Sequence, residues 1–487
     1  MIREALKVGS KIDGFLIEEK IHSGGMATLW RVSRPDIDVP IVMKVPMILD
    51  GDDATVIVGF EMEMMILPRL SGVHVPKFFS VGDYASHPYL VMEYIQGYSL
   101  LKKLNESPLP VEEVMKIGGR VATALVDLHR QNVIHLDIKP SNIMMRAKSG
   151  PNGEDIGEAA FIDFGLSRHL QLPDLLEEEF RVPMGTGPYI SPEQVLKNRS
   201  DPRSDIFSLG VLLYHLATHV RPYGAPTAQS QLRHRLWRDP VPPRKYNSKI
   251  PPYLQEIILR CLEADPDLRY PTAAQLAFDF ANPQAVKLTE RAHRMKRDSI
   301  KMAMKRWFQT LGTSEQPKQP QVGAAAPAPI IMVAVDLNEG QEQLSEALRS
   351  HVARVLTTMP NARLACVNIL KLNRLTINYA LDDEGRNIHV QRLVELKNWA
   401  RTLGLSQERI SFHVLENADP AQALIEYAQL NNVDQVLIGA RGARALRRFL
   451  GSVSSQVVAE APCTVTVVRL PPGGEQEPDV RLEQAAG

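Results

Sequence analysis

The apolar and polar positions of this chain follow two rhythms, and the change falls near residue 328. Before it, short β-branched runs are separated by polar turns. Ile41-Val-Met-Lys44-Val, bounded by Pro40 and Pro46, predicts a strand that ends on a lysine. Phe60-Glu-Met-Glu63-Met-Met-Ile-Leu-Pro-Arg-Leu70 predicts a helix. The stretch up to about Leu90 is strand-rich. Two short strands, 143–145 and 159–162, flank a turn rich in glycine and charge that reads as a tolerated surface insertion. Pro271-Thr-Ala-Ala-Gln-Leu276 opens a final capped helix. Farther on, Ile300, Met304, Trp307, Phe308 and Leu311 recur at helical spacing. Lys287, Arg291, Arg294, Lys296, Arg297, Lys301, Lys305 and Arg306 accompany them against only Glu290 and Asp298. That pattern predicts a basic amphipathic helix, able to pack its stripe on a neighbouring domain, to bind a partner or to touch acidic lipid.

Residues 312–329 are rich in proline and alanine, which predicts a flexible linker. The second rhythm follows it. Buried strands are predicted at 330–335, 362–369, 409–414, 436–439 and 464–469, with helices at 344–356, 390–403 and 421–430. Strands separated by helices imply a parallel sheet covered on both faces, an α/β sandwich of about 140 residues. The expected organisation is a first domain at 10–282 and a basic helix with linker at 283–328. An α/β domain at 328–471 and a disordered tail at 472–487 complete it.

Composition narrows the class without naming it. The chain has 487 residues, against ~100–200 for a usual domain, so more than one is expected. Lys plus Arg equals Asp plus Glu at 56 each, which gives no reason to expect nucleic acid as a partner. Cys261, Cys366 and Cys463 are scattered without metal-ligand spacing, as in a reducing compartment. The first residues lack an apolar signal core, and no apolar run approaches the ~18 residues of a membrane span. A cytoplasmic location and no stable membrane insertion are therefore expected.

The chemistry concentrates in Val133-Ile-His135-Leu-Asp137-Ile-Lys139-Pro-Ser-Asn142 and Phe161-Ile-Asp163-Phe-Gly165. Asp137, Lys139 and Asn142 stand at offsets 0, +2 and +5, and Asp163 follows. Phosphoryl transfer from a nucleotide needs this set: a carboxylate for the incoming hydroxyl, a cation for the moving phosphate, and oxygen ligands for magnesium. The arrangement resembles the catalytic loop and metal-binding motif of Ser/Thr protein kinases of the bacterial, eukaryotic-like type.

That resemblance implies a bilobal α+β kinase fold and assigns further positions. Lys44 would hold the nucleotide phosphates and pair with Glu63, with Glu61 the less favoured partner. Asn142 and Asp163 would carry Mg2+, or Mn2+ in its place. Met92 would sit at the back of the adenine pocket, the backbone of Glu93 and Ile95 would bond the adenine edge, and Ile21, Leu29 and Val42 would roof it. Gly185-Thr186-Gly-Pro-Tyr189-Ile-Ser191-Pro-Glu193 resembles the end of the activation segment, with serine at 191 where the family usually has alanine. Thr186 would tie Asp137 to Lys139, Asp205 would grip the catalytic-loop backbone, and Arg269 would pair with Glu193. Two departures stand out. The glycine loop reads His22-Ser-Gly24-Gly25-Met-Ala27-Thr-Leu29, keeping only the central glycine of three, with Gly25 beside it. Leu136 replaces the arginine that reads an activation-loop phosphate in many kinases. Ser167, Thr186, Tyr189 and Ser191 are the acceptors between Asp163 and Glu193, and Glu177-Glu178-Glu179 places fixed negative charge mid-segment. A kinase that needs no activation-loop phosphate is therefore expected.

The C-terminal part resembles universal stress protein domains, through Gly439-Ala-Arg-Gly442, eight residues, then Gly451-Ser452. Glycines after a strand and small polar residues opening a helix can wrap phosphates with backbone amides. The resemblance implies ATP at Gly439, Gly442, Gly451 and Ser452, with Asp336 near the ribose or base. The spacer is one residue shorter than in the nucleotide-binding subgroup. Homodimerisation through this domain is expected, with strand 464–469 as a sheet edge. Three readings remain open. One is an active kinase for protein Ser/Thr substrates with a sensing or dimerising domain. The second is an idle kinase fold serving as a nucleotide-responsive scaffold. In the third, the C-terminal domain is the main actor and the kinase its regulator.

Overall fold

The structure, a computed structural model, describes residues 6–47, 54–147, 156–180, 182–297, 301, 304–307, 328–338, 340–371, 387–440 and 451–470. The tip of the 146–158 turn, Phe308, Leu311, most of the linker, Gly442 and the tail lie outside the described residues. The chain forms two compact units, Met1–Ala324 and Ala325–Gly487.

The first unit opens with strands β1 (Lys11–Ile12), β2 (Phe15–Ser23), β3 (Ala27–Ser33), β4 (Ile41–Pro46), β5 (Phe78–Val81) and β6 (Leu90–Glu93). They form one antiparallel sheet in the order β1-β2-β3-β4-β6-β5. Phe15, Ile17, Val32, Ile41, Met43, Tyr89 and Val91 pack together as one of its cores. Register sets Leu29 opposite Lys44, and Val42 opposite both Arg31 and Met92. Because side chains alternate along a strand, Leu29, Val42, Lys44 and Met92 share the face turned away from Met43 and Val91. Helix α1 (Ala54–Ile66) is buried along most of its length and carries Glu61 and Glu63 inward, both under a tenth exposed.

The remainder of this unit is mainly helical. In chain order come β7 (Gly97–Ser99), α2 (Leu100–Asn105), α3 (Val111–Arg130), β8 (Val133–Ile134), β9 (Ile143–Ala147), β10 (Ile156–Phe161) and β11 (Arg168–His169). Then follow α4 (Leu175–Glu179), α5 (Pro192–Val195), α6 (Arg203–Thr218), α7 (Gln229–Leu232), α8 (Pro252–Cys261), α9 (Ala273–Ala281) and α10 (Glu290–His293). α3 turns the stripe Val114, Ile117, Val121, Leu125 and Leu128 inward at the spacing an amphipathic helix requires. At Gly118 a Cβ would come within 2.6 Å of the Phe280 ring, so α9 can approach α3 only over glycine. α6 is buried over almost every residue and forms the central post.

The basic stretch departs from its prediction in its first half only: residues 301 and 304–307, which include Met304 and Trp307 of the apolar stripe, are helical. No continuous helix runs from Lys287: the helix α10 spans four residues, capped by Thr289, and Arg294 is extended. Specific partners outcompete helical hydrogen bonds here. Glu256 accepts from Thr289 and Ala292 amides, and Gln255 Nε2 donates to the carbonyls of Arg291 at 2.7 Å and Arg294 at 2.9 Å. Arg294 and Arg306 both reach Asp239, at 2.9 and 2.6 Å.

The second unit contains β12 (Ile330–Ala334), α11 (Glu342–Thr358), β13 (Arg363–Lys371), α12 (Ile388–Ala400), β14 (Ile410–Asn417), α13 (Pro420–Leu430), β15 (Gln435–Gly439), α14 (Ser452–Glu460) and β16 (Thr464–Val468). The five strands are all parallel in the order β14-β13-β12-β15-β16. One core holds Val333, Val352, Leu364, Leu396 and Trp399; the other holds Met332, Ala365, Leu424, Tyr427 and Val436. Alternate residues of each strand feed opposite cores, as a sheet covered on both faces demands. Cys366 and, in the first unit, Cys261 are buried, while Cys463 at the head of β16 is half-buried. Among the described residues, no helix is long and apolar enough to cross a membrane.

Candidate active site

Backbone placement comes first. The buried Asp205 carboxylate of α6 accepts from the amides of His135 at 2.9 Å and Leu136 at 2.8 Å, and from His129 Nε2 at 2.9 Å. Leu136 is thereby held at φ +60°, a left-handed conformation that costs a non-glycine residue ~1–2 kcal/mol. Asp163 likewise has φ +67°. His135 lies between the Phe161 and Phe164 rings, each centroid 5.3 Å away, and joins the two motifs.

Asp137 is enclosed by donors. Its Oδ1 accepts from Thr186 Oγ1 at 2.6 Å and Thr186 N at 3.1 Å; its Oδ2 accepts from Lys139 Nζ at 2.6 Å and Asn142 Nδ2 at 3.0 Å. Lys139 Nζ also donates to Thr186 Oγ1 at 3.1 Å, which closes the link between the three residues. A carboxylate fixed in rotation this way presents a defined lone pair to a proton donor.

Lys44 Nζ lies 2.6 Å from Glu63 Oε2 and 2.9 Å from Asp163 Oδ1. Glu63, rather than Glu61, is the residue placed against Lys44. Burial opposes the Lys44 charge, but Asp163 and Glu63 override it and hold the ammonium above its ordinary pKa. Lys44, working against burial, holds the Asp163 carboxyl down to about 2. Burial lifts Glu63 above the usual carboxylate range in spite of Lys44. Asp163 keeps 45% of its side chain exposed. The ionised, accessible Asp163 carboxylate and the amide oxygen of Asn142, whose Nδ2 is turned to Asp137, are hard-oxygen donors. They fit magnesium, which binds through one or two protein oxygens plus phosphates and water.

Of the roof residues, Leu29 and Val42 share one sheet face with Met92, while Ile21 falls at the irregularity between Lys20 and His22. Ile21 and Leu29 are half-buried, and Val42, Met92 and Ile95 are buried. The hinge is tied down: Glu93 N donates to Lys77 O and Tyr94 N to Pro40 O, both at 2.8 Å. Arg146 chelates the Glu93 carboxylate, with Nη2 to Oε2 at 3.1 Å. Gly24 and Gly25 form the β2–β3 turn, Gly24 N donating to Ala27 O at 3.0 Å. A Cβ on Gly24 would meet His22 Nε2 at 3.5 Å, ordinary contact, and one on Gly25 would meet nothing within 4 Å. The glycines therefore leave open space for a ligand rather than answer a packing need.

The activation segment is held by contacts that reading motifs did not reveal. Gln194 Nε2 donates to Leu136 O at 2.7 Å and Met184 O at 2.9 Å. Ser191 caps α5 in a reciprocal capping box with Gln194, so serine at 191 has a structural task. Arg199 pairs with Asp174 at 2.8 Å, and Arg168 with Glu177 at 2.8 Å. Arg269 pairs with Glu193 at 2.6 Å, both buried. The capping box has a local signal in Ser191-Pro-Glu-Gln194; Arg168 and Arg199 carry none, whereas the Arg269–Glu193 pair is the one the kinase resemblance implied.

In the second unit, Asp336 follows β12, and Gly439 ends the neighbouring strand β15. The chain winds away from these two strands in opposite directions, the switch point where open α/β sheets bind ligands. Gly451 and Ser452 open α14. A Cβ on Gly439 would stand 3.0 Å from Leu344 Cδ2, so the glycine also answers a packing need.

Residues 15–280 match the family model described as Protein kinase domain, more than half of the chain. The chain belongs to the protein kinase domain family. Residues 329–469 match a second model, the Universal stress protein family. Serine/threonine-protein kinase PknL of Mycobacterium tuberculosis is 32% identical over 266 residues, 54% of this chain and 64% of PknL. Serine/threonine-protein kinase PrkC of Bacillus subtilis is 26% identical over 274 residues, 56% of this chain and 41% of PrkC. The chain thus spans less than two thirds of these curated relatives. Among solved structures, the PknI kinase domain of Mycobacterium tuberculosis aligns at 21% identity with a TM-score of 0.45, covering 58% of this chain and 100% of that one. Members of the protein kinase family use ATP and a divalent metal ion, and the kinase site described above has the donors for both.

Proposed function

We propose that this chain is a protein serine/threonine kinase that transfers the γ-phosphate of ATP to protein hydroxyls. The observation that carries the reading is the double clamp on Asp137, by Thr186 on one oxygen and by Lys139 and Asn142 on the other. Asp137 orients the attacking hydroxyl and accepts its proton as the new oxygen–phosphorus bond forms and the β–γ bridging bond breaks. Lys139, beside it, faces the charge on the moving phosphate. Lys44, locked by Glu63, positions the α- and β-phosphates. Asn142 and Asp163 would hold Mg2+, or Mn2+, which would supply positive charge against that developing on the transferred phosphate. The scaffold reading is disfavoured because Lys44, Asp137, Asn142 and Asp163 are all present, with Lys44, Glu63 and Asp163 already in contact.

The kinase needs no phosphate on its activation segment. Leu136 supplies no cation for one, Ser167 and Ser191 are buried, and Thr186 is engaged with Asp137. Glu177 occupies Arg168 instead. The second unit pairs with its copy through β16, an edge strand bonded on one side to β15, and binds ATP near Asp336, Gly451 and Ser452. Incubation of the purified chain with ATP and casein, followed by phosphosite mapping, tests the catalytic reading. Asp137→Asn and Lys44→Met should each remove most transfer while the circular dichroism spectrum is unchanged. Equal transfer by wild type and Asp137→Asn would sink it.

A further inference from the structure

Arg235 is among the largest fully buried side chains of the chain, 1% exposed, and it has no carboxylate partner among the described residues. Burial pushes its guanidinium down to about 10. A buried cation left without an anion is costly unless its donors are otherwise used. Here they are used on backbone. Nη1 donates to Ile190 O, Nη2 to Gly187 O at 2.9 Å, and Nε to Leu232 O, in its own turn, at 3.1 Å.

The two distant carbonyls belong to the turn that follows Thr186. That turn closes on itself, with Tyr189 N and Ile190 N both donating to Thr186 O, at 2.8 and 3.1 Å. Ser208 Oγ takes the third carbonyl, Tyr189 O, at 2.8 Å. The guanidinium also lies 5.4 Å from the Tyr223 ring centroid. Tyr223 stacks on Phe207 with centroids 5.8 Å apart, and Arg269 lies 5.1 Å from the far ring of that pair. Two arginines therefore close the ends of a two-ring stack. One grips the turn 187–190 and the other, through Glu193, the helix that follows it.

We propose that Arg235 is a positioning residue that holds the segment 187–190 as a ledge for the protein substrate and, through Thr186, keeps Asp137 in line with the acceptor hydroxyl. The proposal rests on the kinase reading above and adds to it a residue 45 positions away from Ile190 in sequence. A planar fork is required, because one donor group must serve two carbonyls facing the same point. Lysine offers a point charge with three mobile donors in place of the fork and fixes the two carbonyls less firmly.

The test uses the full chain with ATP, magnesium and dephosphorylated casein, comparing wild type, Arg235→Lys and Arg235→Met. KM for casein should rise and kcat/KM for casein fall ~10- to 100-fold in Arg235→Met, the cost of misplacing reacting groups by about 1 Å. KM for ATP should stay within about twofold, and Arg235→Lys should recover part of the loss. Amide exchange in the 186–191 peptide should quicken in both variants. Should Arg235→Met not fold, Arg235→Lys carries the comparison alone. Unchanged casein constants and unchanged exchange in Arg235→Lys would overturn the proposal. So would casein and ATP constants worsening together, which marks general damage. A wild-type chain that phosphorylates no casein would instead count against the kinase reading.

Discussion

Replacing Asp205 by alanine should damage both catalysis and the fold, and both losses can be sized from the structure. The carboxylate is fully buried and accepts three hydrogen bonds, from His135 N, Leu136 N and His129 Nε2. Alanine leaves two buried amides without an acceptor, at ~1–3 kcal/mol each, so destabilisation of about 2–6 kcal/mol is expected. Leu136 would also lose what holds it at φ +60° and relax towards negative φ. Because Asp137 is the next residue, that relaxation displaces its carboxylate, and a shift of about 1 Å costs ~100-fold in rate. Asp205→Asn keeps one acceptor oxygen and turns an NH2 towards the other amide, so about half the stability loss is expected. Urea unfolding of the full chain in a Trp399→Phe background reads the first unit, since Trp30, Trp237 and Trp307 all precede the linker. Phosphotransfer to casein is measured alongside under native conditions. An unfolding free energy for Asp205→Ala within about 0.5 kcal/mol of wild type, with undiminished transfer, would refute the claim that α6 anchors the catalytic loop.

Phosphatase-treated chain should begin phosphorylating casein without a lag; a lag abolished by prior incubation with ATP would contradict phosphate-independent activity. Ser167→Ala should match wild type in rate. It should nonetheless lose ~1 kcal/mol of stability, because Ser167 Oγ donates to His135 O at 3.0 Å inside the core. Residues 328–487 expressed alone should sediment as a dimer, and a monomer at micromolar concentration would remove the β16 edge as an interface. Asp163 has a depressed folded pKa, so its ionised form contributes stability above the ordinary value of 3.8, and that contribution is lost as pH falls towards about 2. The stability difference between wild type and Asp163→Asn should therefore be constant from pH 7 to 5 and smaller at pH 3; a difference that grows on acidification would reverse the assigned sign.

Where chemistry is encoded by residues close in sequence, the chain was legible. The offsets among Asp137, Lys139 and Asn142 place all three on one loop, and alternation in 41–46 is enough to put Val42 and Lys44 on one face of a strand. The parallel order of the second unit followed from strands spaced by helices. Legibility failed where a distant partner decides the outcome. The basic run from Lys287 has the charge pattern of a helix, yet Gln255, Glu256 and Asp239 draw its carbonyls, amides and arginines into a broken path. A Cβ on Gly439 would press on Leu344 at 3.0 Å, a packing demand that the spacing of glycines does not reveal. Glu177 reads as fixed negative charge mid-segment, and nothing near it in sequence names its partner, Arg168, at 2.8 Å. Arg235 lies in Arg233-His-Arg235-Leu-Trp-Arg238, a run that resembles a solvated basic face, and nothing local marks its middle arginine as buried.

The distribution of the cysteines makes the intact chain ready for spectroscopy. Burial raises the Cys261 thiol to about 12 and raises that of Cys366 as well, so neither presents a thiolate to a reagent in water. Burial and Asp434 raise the Cys463 thiol too, but it is half-exposed just before β16, so a nitroxide offered to the folded protein at alkaline pH would attach there without any substitution. Were two β16 strands to run antiparallel across a dyad, the labels would sit at opposite ends of a five-residue strand, about 17 Å of backbone apart. Pulsed electron resonance would then return one sharp distance from unmodified sequence, and the same label would broaden or vanish from that distance as copies separate.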